Sequence, residues 1–359
     1  MSNYFEYKDS IAFHPGYYIK ELVDESGLTQ EDFAKRLGTT PKNLSVLING
    51  EQSLSIDIAM KLSRLTDTSI DYWLNLQKRY DVLLGIKKSD EELEEERRII
   101  KILDYSYFRE HLHLPDLRRR VDEQVKELRR CLKISSLSVL KYRDMAVKFR
   151  QSTPSVSEAS IIKANAMVQL ATIEAMRKNA PKYDKQRFEE AVTYVLGLTS
   201  KHEDFYQLAQ KAFHDAGVVF VVLPNIPGSK TNGATKRIGD NLLLMVNDRG
   251  TTGDSFWFSL FHEIGHILYG DYGISFEDEA GKEEDAADEF AEDCLIPREP
   301  YMTFVKRRDF SPSAVIRFAS RINRDPGLVV GRLQNDNYVS YSNQALNRYK
   351  CKYKVCASC

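Results

Sequence analysis

The run His262-Glu263-Ile264-Gly265-His266 constrains this chain more than any other feature. On an α-helix, residues four apart sit one turn apart on the same face. Two imidazoles so placed can bind one Zn2+, and Glu263 beside them can activate water at the metal. Histidine supplies 7 of the 359 residues, so chance gives this pattern in on the order of one per cent of chains of this composition. The surroundings read as a buried helix: Phe256, Trp257, Phe258, Leu260, Phe261, Ile264, Ile267 and Leu268 make it apolar nearly all round. Asp254 is its expected N-cap and Gly270 its stop. Two histidines and a glutamate buried there need partners, and a metal satisfies them. The bland alternative is a pair of core histidines bonded to backbone carbonyls.

A third ligand is expected downstream, in a helix over Lys282–Leu295. Its inward face is set by Ala286, Ala287, Phe290, Ala291, Cys294 and Leu295 at helical spacing. Asp285, Glu289, Glu292 and Asp293 fall on the opposite face and read as solvated charge. Glu283 and Glu284 both fall toward the inward face, so the helical wheel does not choose between them. Glu284 has an acid one turn on, Asp288. That pair offers one carboxylate for the metal and one to hold a ligand histidine by its other ring nitrogen. Glu284 is therefore the expected ligand and Asp288 the orienting residue, with Glu283 as the fallback.

The run Phe261-His-Glu-Ile-Gly-His266, followed by Glu284-x-x-Ala-Asp-x-Phe-Ala-x-x-x-Leu-Ile-Pro297, resembles the ImmA/IrrE metallopeptidase family. The Glu-x-x-x-Asp element also resembles that of thermolysin-type zinc peptidases. The likeness spans roughly 201–297. It implies that His262, His266 and Glu284 bind zinc, that Glu263 is the general base, and that the activity is endoproteolysis, commonly a single cut in a partner repressor. Members often carry Asn where this chain has Asp288; both keep a hydrogen-bond acceptor.

A chain of this length exceeds what one core usually holds, so two or three domains are expected. The formal net charge of −1 announces no global polybasic character, so any DNA binding must rest on a local surface. No window of about 20 apolar residues is present, and the first residues do not read as a signal peptide. A cytoplasmic protein without membrane contact is the expectation. Five cysteines fit a reducing compartment. Cys131 and Cys294 read as inert thiols in helices. Cys351, Cys356 and Cys359 cluster at the C-terminus, either as a metal or redox site or as a reduced tail.

Residues 11–80 read as five short helices. Thr29 and Asp32 suggest a cap for the second, Gly38-Thr39-Thr40 a tight turn, and Pro41 the start of the third. The third helix buries Leu44, Leu47 and Ile48 and exposes Lys42, Asn43, Ser45 and Asn49, types that bond base edges or phosphates. The stretch from His14 to Leu65 resembles the Xre-type helix-turn-helix, and within it the HigA-like antitoxins. The expected DNA contacts are Gln30, Thr39, Thr40, Lys42, Asn43, Ser45 and Asn49. Lys42 is the one cation on that surface, with Lys35 and Arg36 nearby, so binding is expected to need a homodimer on a two-fold operator.

Between these regions, Lys87–Lys101 reads as an exposed helix or linker. Pro115 is expected to open a helix with a stripe of Leu117, Val121, Val125, Leu128 and Leu132, a candidate dimer seam. Its arginine-rich face, Arg118, Arg119, Arg120, Arg129 and Arg130 with Lys126, reads as a solvated face, with a partner or nucleic-acid surface as the alternative. Val218–Leu223 and Asn241–Val246 read as buried strands, and Gly233-Ala234-Thr235 as an edge where a substrate strand can add.

The expectation is an α+β, mostly helical protein. Its parts are a helix-turn-helix domain over 1–80, a helical connector over 81–156, a zincin-like domain with a small sheet over 157–345, and a Cys-containing tail over 346–359. The expected function is a DNA-binding, antitoxin-like regulator carrying a zinc endopeptidase for a protein substrate, with a cognate toxin as a further partner. The alternative is a repressor whose peptidase domain only senses or binds.

Overall fold

The computed structural model describes residues 4–143, 156–276 and 281–355. It is mostly helical with two small sheets, the α+β class expected. The contacts divide the chain into two compact units, 1–95 and 96–359.

The first unit opens with an antiparallel hairpin, β1 (Tyr4–Tyr7) and β2 (Ser10–Phe13). The hairpin was not expected: its turn lacks Gly or Asn, and Lys8 takes the left-handed conformation instead, φ 54°. Four short helices follow: α1 (Pro15–Ser26), α2 (Gln30–Leu37), α3 (Pro41–Ile48) and α4 (Ile56–Thr66). Side chains of His14, Thr29, Thr40 and Ser55 cap them in turn. Their apolar faces meet in one core of Ile19, Phe33, Ala34, Leu44, Leu47, Ala59, Leu62 and Trp73. A Cβ on Gly16 would stand 2.1 Å from the Leu47 carbonyl oxygen, so α1 begins in backbone contact with the end of α3.

The fifth helix corrects the expectation of five short ones. Helix α5 runs without a break over Ile70–Leu103, 34 residues, through the charged stretch around Lys87–Lys101. Glu, Lys and Arg are good helix formers, and Gly85 alone is too weak a stop. It continues through residue 80, where the expected domain boundary lay.

In the second unit, α6 (Tyr105–Leu112) precedes α7 (Val121–Leu132). Helix α7 starts six residues after Pro115, because Arg119 takes a left-handed φ of 66° and breaks the run. Val125, Leu128 and Leu132 are fully buried. Arg129 is not a solvated charge: its Nε lies 2.9 Å from Oε1 of Glu96, which has no exposed surface. A 3-10 segment (Leu137–Lys141) leads toward α8 (Glu158–Arg177), α9 (Lys185–Leu196) and α10 (Phe205–Asp215).

A four-stranded sheet of β3 (Val218–Leu223), β4 (Thr231–Ile238), β5 (Asn241–Asn247) and β6 (Ile274–Phe276) follows, in the order β3-β5-β4-β6. β3 and β5 are parallel; the other pairings are antiparallel. Leu242, Leu244 and Val246 join one core with Trp257, Leu260, Phe261 and Ile264 of α11 (Gly253–Tyr269). Helix α8 also packs on the sheet, and covering both faces gives β5 its unbroken apolar run. The expected edge at Gly233-Ala234-Thr235 is corrected: β6 pairs with β4 there, Gly233 opposite Ser275 and Ala234 opposite Ile274. A strand of three residues after a long helix leaves too little sequence signal to foresee that pairing.

Helices α12 (Lys282–Leu295), α13 (Arg298–Lys306), α14 (Pro312–Arg321), α15 (Pro326–Asn335) and α16 (Gln344–Asn347) complete the unit. The chain then returns as a strap to the start of α11. Gly253 N donates to Cys351 O at 2.8 Å, and Tyr353 N to Thr251 O at 3.0 Å. Cys356 and Cys359 lie outside the described residues.

Candidate metal centre and nucleic-acid interface

Helix α11 presents His262 and His266 one turn apart, and α12 lies against that face. Gly265 and Ala287 permit the close approach: a Cβ on Gly265 would lie 3.2 Å from the Ala287 Cα. This brings Glu284, in the first turn of α12, onto both rings. Its Oε2 is 3.0 Å from His262 Nε2, and its Oε1 is 3.4 Å from His266 Nε2. The two Nε2 atoms are 3.0 Å apart. Glu283 is exposed.

Asp288, one turn after Glu284, sets its Oδ1 2.7 Å from His262 Nδ1. His266 Nδ1 lies 3.0 Å from Oδ2 of Asp271, a residue that the sequence reasoning missed. Asp271 follows Gly270, whose φ of 76° turns the chain back at the end of α11. Each ring therefore turns one nitrogen toward a carboxylate and the other toward the common centre. Glu263 is fully buried beside them. A Cβ on Gly233 of β4 would lie 2.6 Å from its Cγ and 2.7 Å from its Oε1, so a bare backbone packs over this side chain.

This donor set fits a divalent cation. Four carboxylates (Glu263, Asp271, Glu284, Asp288) surround two imidazoles in a largely buried place, a surplus of negative charge. Burial pushes the His262 ring down, but Asp288, Glu284 and Glu263 outweigh it and raise its pKa to about 10. The site thus holds positive charge firmly, which a metal can supply in place of a proton. Tetrahedral ligands at about 2.0–2.2 Å from one ion stand about 3.3 Å from one another, close to the separations seen here. The four-residue spacing and the acid one turn on made most of this centre visible in the sequence. The register of Gly233 gives no such signal.

One other expectation is changed. Asp254 is no cap; Thr252 holds that position, and Asp254 Oδ2 pairs with Lys350 Nζ at 2.6 Å. Just past the second histidine, Tyr269 is 59% exposed against Phe290, and Tyr272 packs on the core.

In the first unit, Gln30, Thr40, Lys42 and Asn49 are exposed, and Thr39, Asn43 and Ser45 are half-buried. Thr40 Oγ1 accepts from Asn43 N at 3.1 Å as the cap of α3. Asn43 Nδ2 donates to Thr39 Oγ1 at 2.9 Å, and its Oδ1 accepts from Gln52 Nε2 at 2.6 Å. These three side chains therefore already brace the turn between α2 and α3. Lys35 pairs with Glu31 at 2.8 Å.

A family model described as helix-turn-helix matches residues 19–73, and one described as an IrrE N-terminal-like domain matches residues 216–313. The HTH-type transcriptional regulator YddM of Escherichia coli K12, itself uncharacterized, is 33% identical over 76 residues, 21% of this chain and 81% of that protein. A second uncharacterized regulator of the same strain, YbaQ, is 31% identical over 90 residues, 25% of this chain and 79% of its own length. This chain belongs to the helix-turn-helix transcriptional regulators.

Virulence-associated protein A' of Dichelobacter nodosus is 40% identical over 70 residues, 19% of this chain and 61% of that protein. The regulator adds a peptidase M78 domain of the IrrE/ImmA type, whose matched span runs from the sheet to the start of α14 and contains His262, Glu263, His266, Asp271, Glu284 and Asp288. Its helix-turn-helix implies DNA binding. Among the described residues, no helix is long and apolar enough to cross a membrane.

Proposed function

We propose that this regulator is also a zinc-dependent endopeptidase that cleaves a protein substrate, with DNA binding and proteolysis housed in one chain. The observation that supports it most is the convergence of His262 Nε2, His266 Nε2 and the Glu284 carboxylate on one point beside the buried Glu263. His262, His266 and Glu284 would hold the ion. Bound there, zinc supplies Lewis acidity toward a peptide carbonyl and lowers the pKa of water.

The chain's own residues do the rest. Glu263 takes a proton from the attacking water and returns it to the leaving amine. Asp288 and Asp271 fix the two rings with one nitrogen turned inward. The Gly233 backbone confines Glu263 to the position it needs. The substrate is read as a protein, either another regulator or the chain itself.

The test is to incubate the full chain with the products of its neighbouring genes and to label new N-termini. Cuts made by the wild type and absent with Glu263→Gln support the reading. Cuts made equally by both would end it. Wild-type metal content without any cut would favour the rival, a regulator whose peptidase domain only senses.

For DNA, the exposed Gln30, Lys42 and Asn49 are proposed as direct contacts, with Thr39, Thr40, Asn43 and Ser45 shaping the surface. So few cations give weak binding per domain, which favours a homodimer on a two-fold operator. A gel shift on the chain's own upstream DNA tests this; absence of any shift at low salt would leave the module a docking domain.

A further inference from the structure

Cys351 has no part in the centre formed by His262, His266 and Glu284, yet it does not sit alone. Cys351 Sγ lies 3.5 Å from His202 Nε2. Asp325 Oδ2 lies 3.2 Å from the same nitrogen. The three donor atoms fall within 4.8 Å of one another. They come from three distant places: the loop between α9 and α10, the residue before α15, and the strap.

We infer that His202, Asp325 and Cys351 form a second, structural metal site that takes a zinc-like divalent cation through nitrogen, oxygen and thiolate sulfur. The spacing is the first argument. Zinc binds His nitrogen and carboxylate oxygen at about 2.0–2.2 Å and thiolate at about 2.3 Å, so tetrahedral ligands stand about 3.3 Å apart for N and O and about 3.6 Å for N and S. The observed 3.2 and 3.5 Å match both.

The choice of atoms is the second argument. A Cys-His-Asp nucleophile needs the thiol on one ring nitrogen and the acid on the other. Here both approach Nε2, which suits coordination around one point and not a proton relay. Asp325 divides its work: Oδ1 accepts from Gly327 N at 2.7 Å as the cap of α15, which leaves Oδ2 for the cation. The far nitrogen of His202 is held too. Its Nδ1 lies 3.1 Å from the Tyr353 hydroxyl, which also accepts from Trp257 Nε1 at 3.4 Å. A ligand histidine usually has such a partner.

The site would clamp the strap where it crosses the start of α11, the helix that carries His262 and His266. Trp257 belongs to that helix and has 1% of its surface exposed. Tying three distant segments through one ion restricts the unfolded chain and holds the strap in place. The fourth position falls to water.

Full-length protein stripped of metal and refilled with Co2+ provides the test. A thiolate-to-cobalt charge-transfer band is expected in the wild type and in the double variant His262→Ala/His266→Ala. It is expected to vanish in Cys351→Ser and in His202→Ala. Zinc content should fall from about two ions per chain to about one in either of those variants. His202 is partly exposed, so its variant is expected to fold and decides alone if Cys351→Ser does not. No band in the wild type, or a band that survives His202→Ala, overturns the proposal.

Discussion

Gly233 lies against Glu263 so closely that a Cβ added to it would stand 2.6 Å from the glutamate Cγ. The atoms in the way belong to the side chain proposed as the general base, not to its backbone. In Gly233→Ala the glutamate must therefore move. A misplacement of about 1 Å at a reacting group costs about 100-fold in rate. We expect kcat on a cleaved substrate to fall by about that factor while zinc content stays at the wild-type level. Retained activity with Ala at 233 would show that Glu263 has room to spare.

Replacing Glu263 itself separates chemistry from architecture. Glu263→Gln keeps the shape and the two proposed ligand rings but cannot take a proton. Cleavage should fall by about 100- to 10,000-fold. Bound zinc, measured by atomic emission, and operator binding, measured by gel shift, should both remain.

Asp288 and Asp271 each lie against one ring of the proposed ligand pair, 2.7 Å from His262 Nδ1 and 3.0 Å from His266 Nδ1. Removing such a partner typically costs about 10- to 100-fold in metal affinity. Asp288→Ala and Asp271→Ala should each show that loss in a chelator competition. Asp288→Asn should lose less, since its amide oxygen still accepts from the ring.

The sequence made these placements legible to different degrees, for physical reasons. Glu284 and Asp288 could be read because a helix has a fixed period, so two acids four apart must share a face. Asp271 could not: it lies past the left-handed Gly270, where the path of the chain depends on the turn and not on a period. Gly233 could not either, since its role depends on strand register and on β6 pairing beside it. The same limit hid the inner position of β4 and the meeting of Cys351 with His202, 149 residues away. In the first unit the caps at Thr29 and the start at Pro41 were visible, but the cap at His14 and the length of α5 were not. A capping histidine has no strong composition signal, and a run of charged helix formers looks alike in a linker and in a helix.

Glu96, fully buried, pairs with the partly exposed Arg129, and its carboxylate also accepts from Leu137 N at 2.5 Å. Arg129→Met would leave that buried charge facing an apolar group. Breaking one partner of a buried pair costs about 3–5 kcal/mol; Arg129 is about one-third exposed, so solvent screens part of this and about 2 kcal/mol is expected. Urea unfolding followed by tryptophan fluorescence measures it, and the double variant Glu96→Leu/Arg129→Met should recover most of the loss.

His14 gives the helix-turn-helix unit a pH dependence whose sign can be worked out. Its Nδ1 accepts from Gly16 N at 3.0 Å, which a protonated ring cannot do. Burial pushes its pKa below the ordinary value, against smaller opposing effects of the Gln52 backbone and Asp81. In the unfolded chain the ring takes its proton near the usual value of about 6.5. Just below that pH the unfolded state binds more protons than the folded one, so stability falls as pH drops through it and is fully present above it. The variant His14→Ala lacks the cap and also lacks the titration. It should be less stable than the wild type by about 1 kcal/mol at pH 7.5. That gap should narrow as the pH is lowered past about 6.5. A gap that stays constant from pH 7.5 to 5 would mean that His14 is protonated equally easily in both states and that its burial carries no charge penalty.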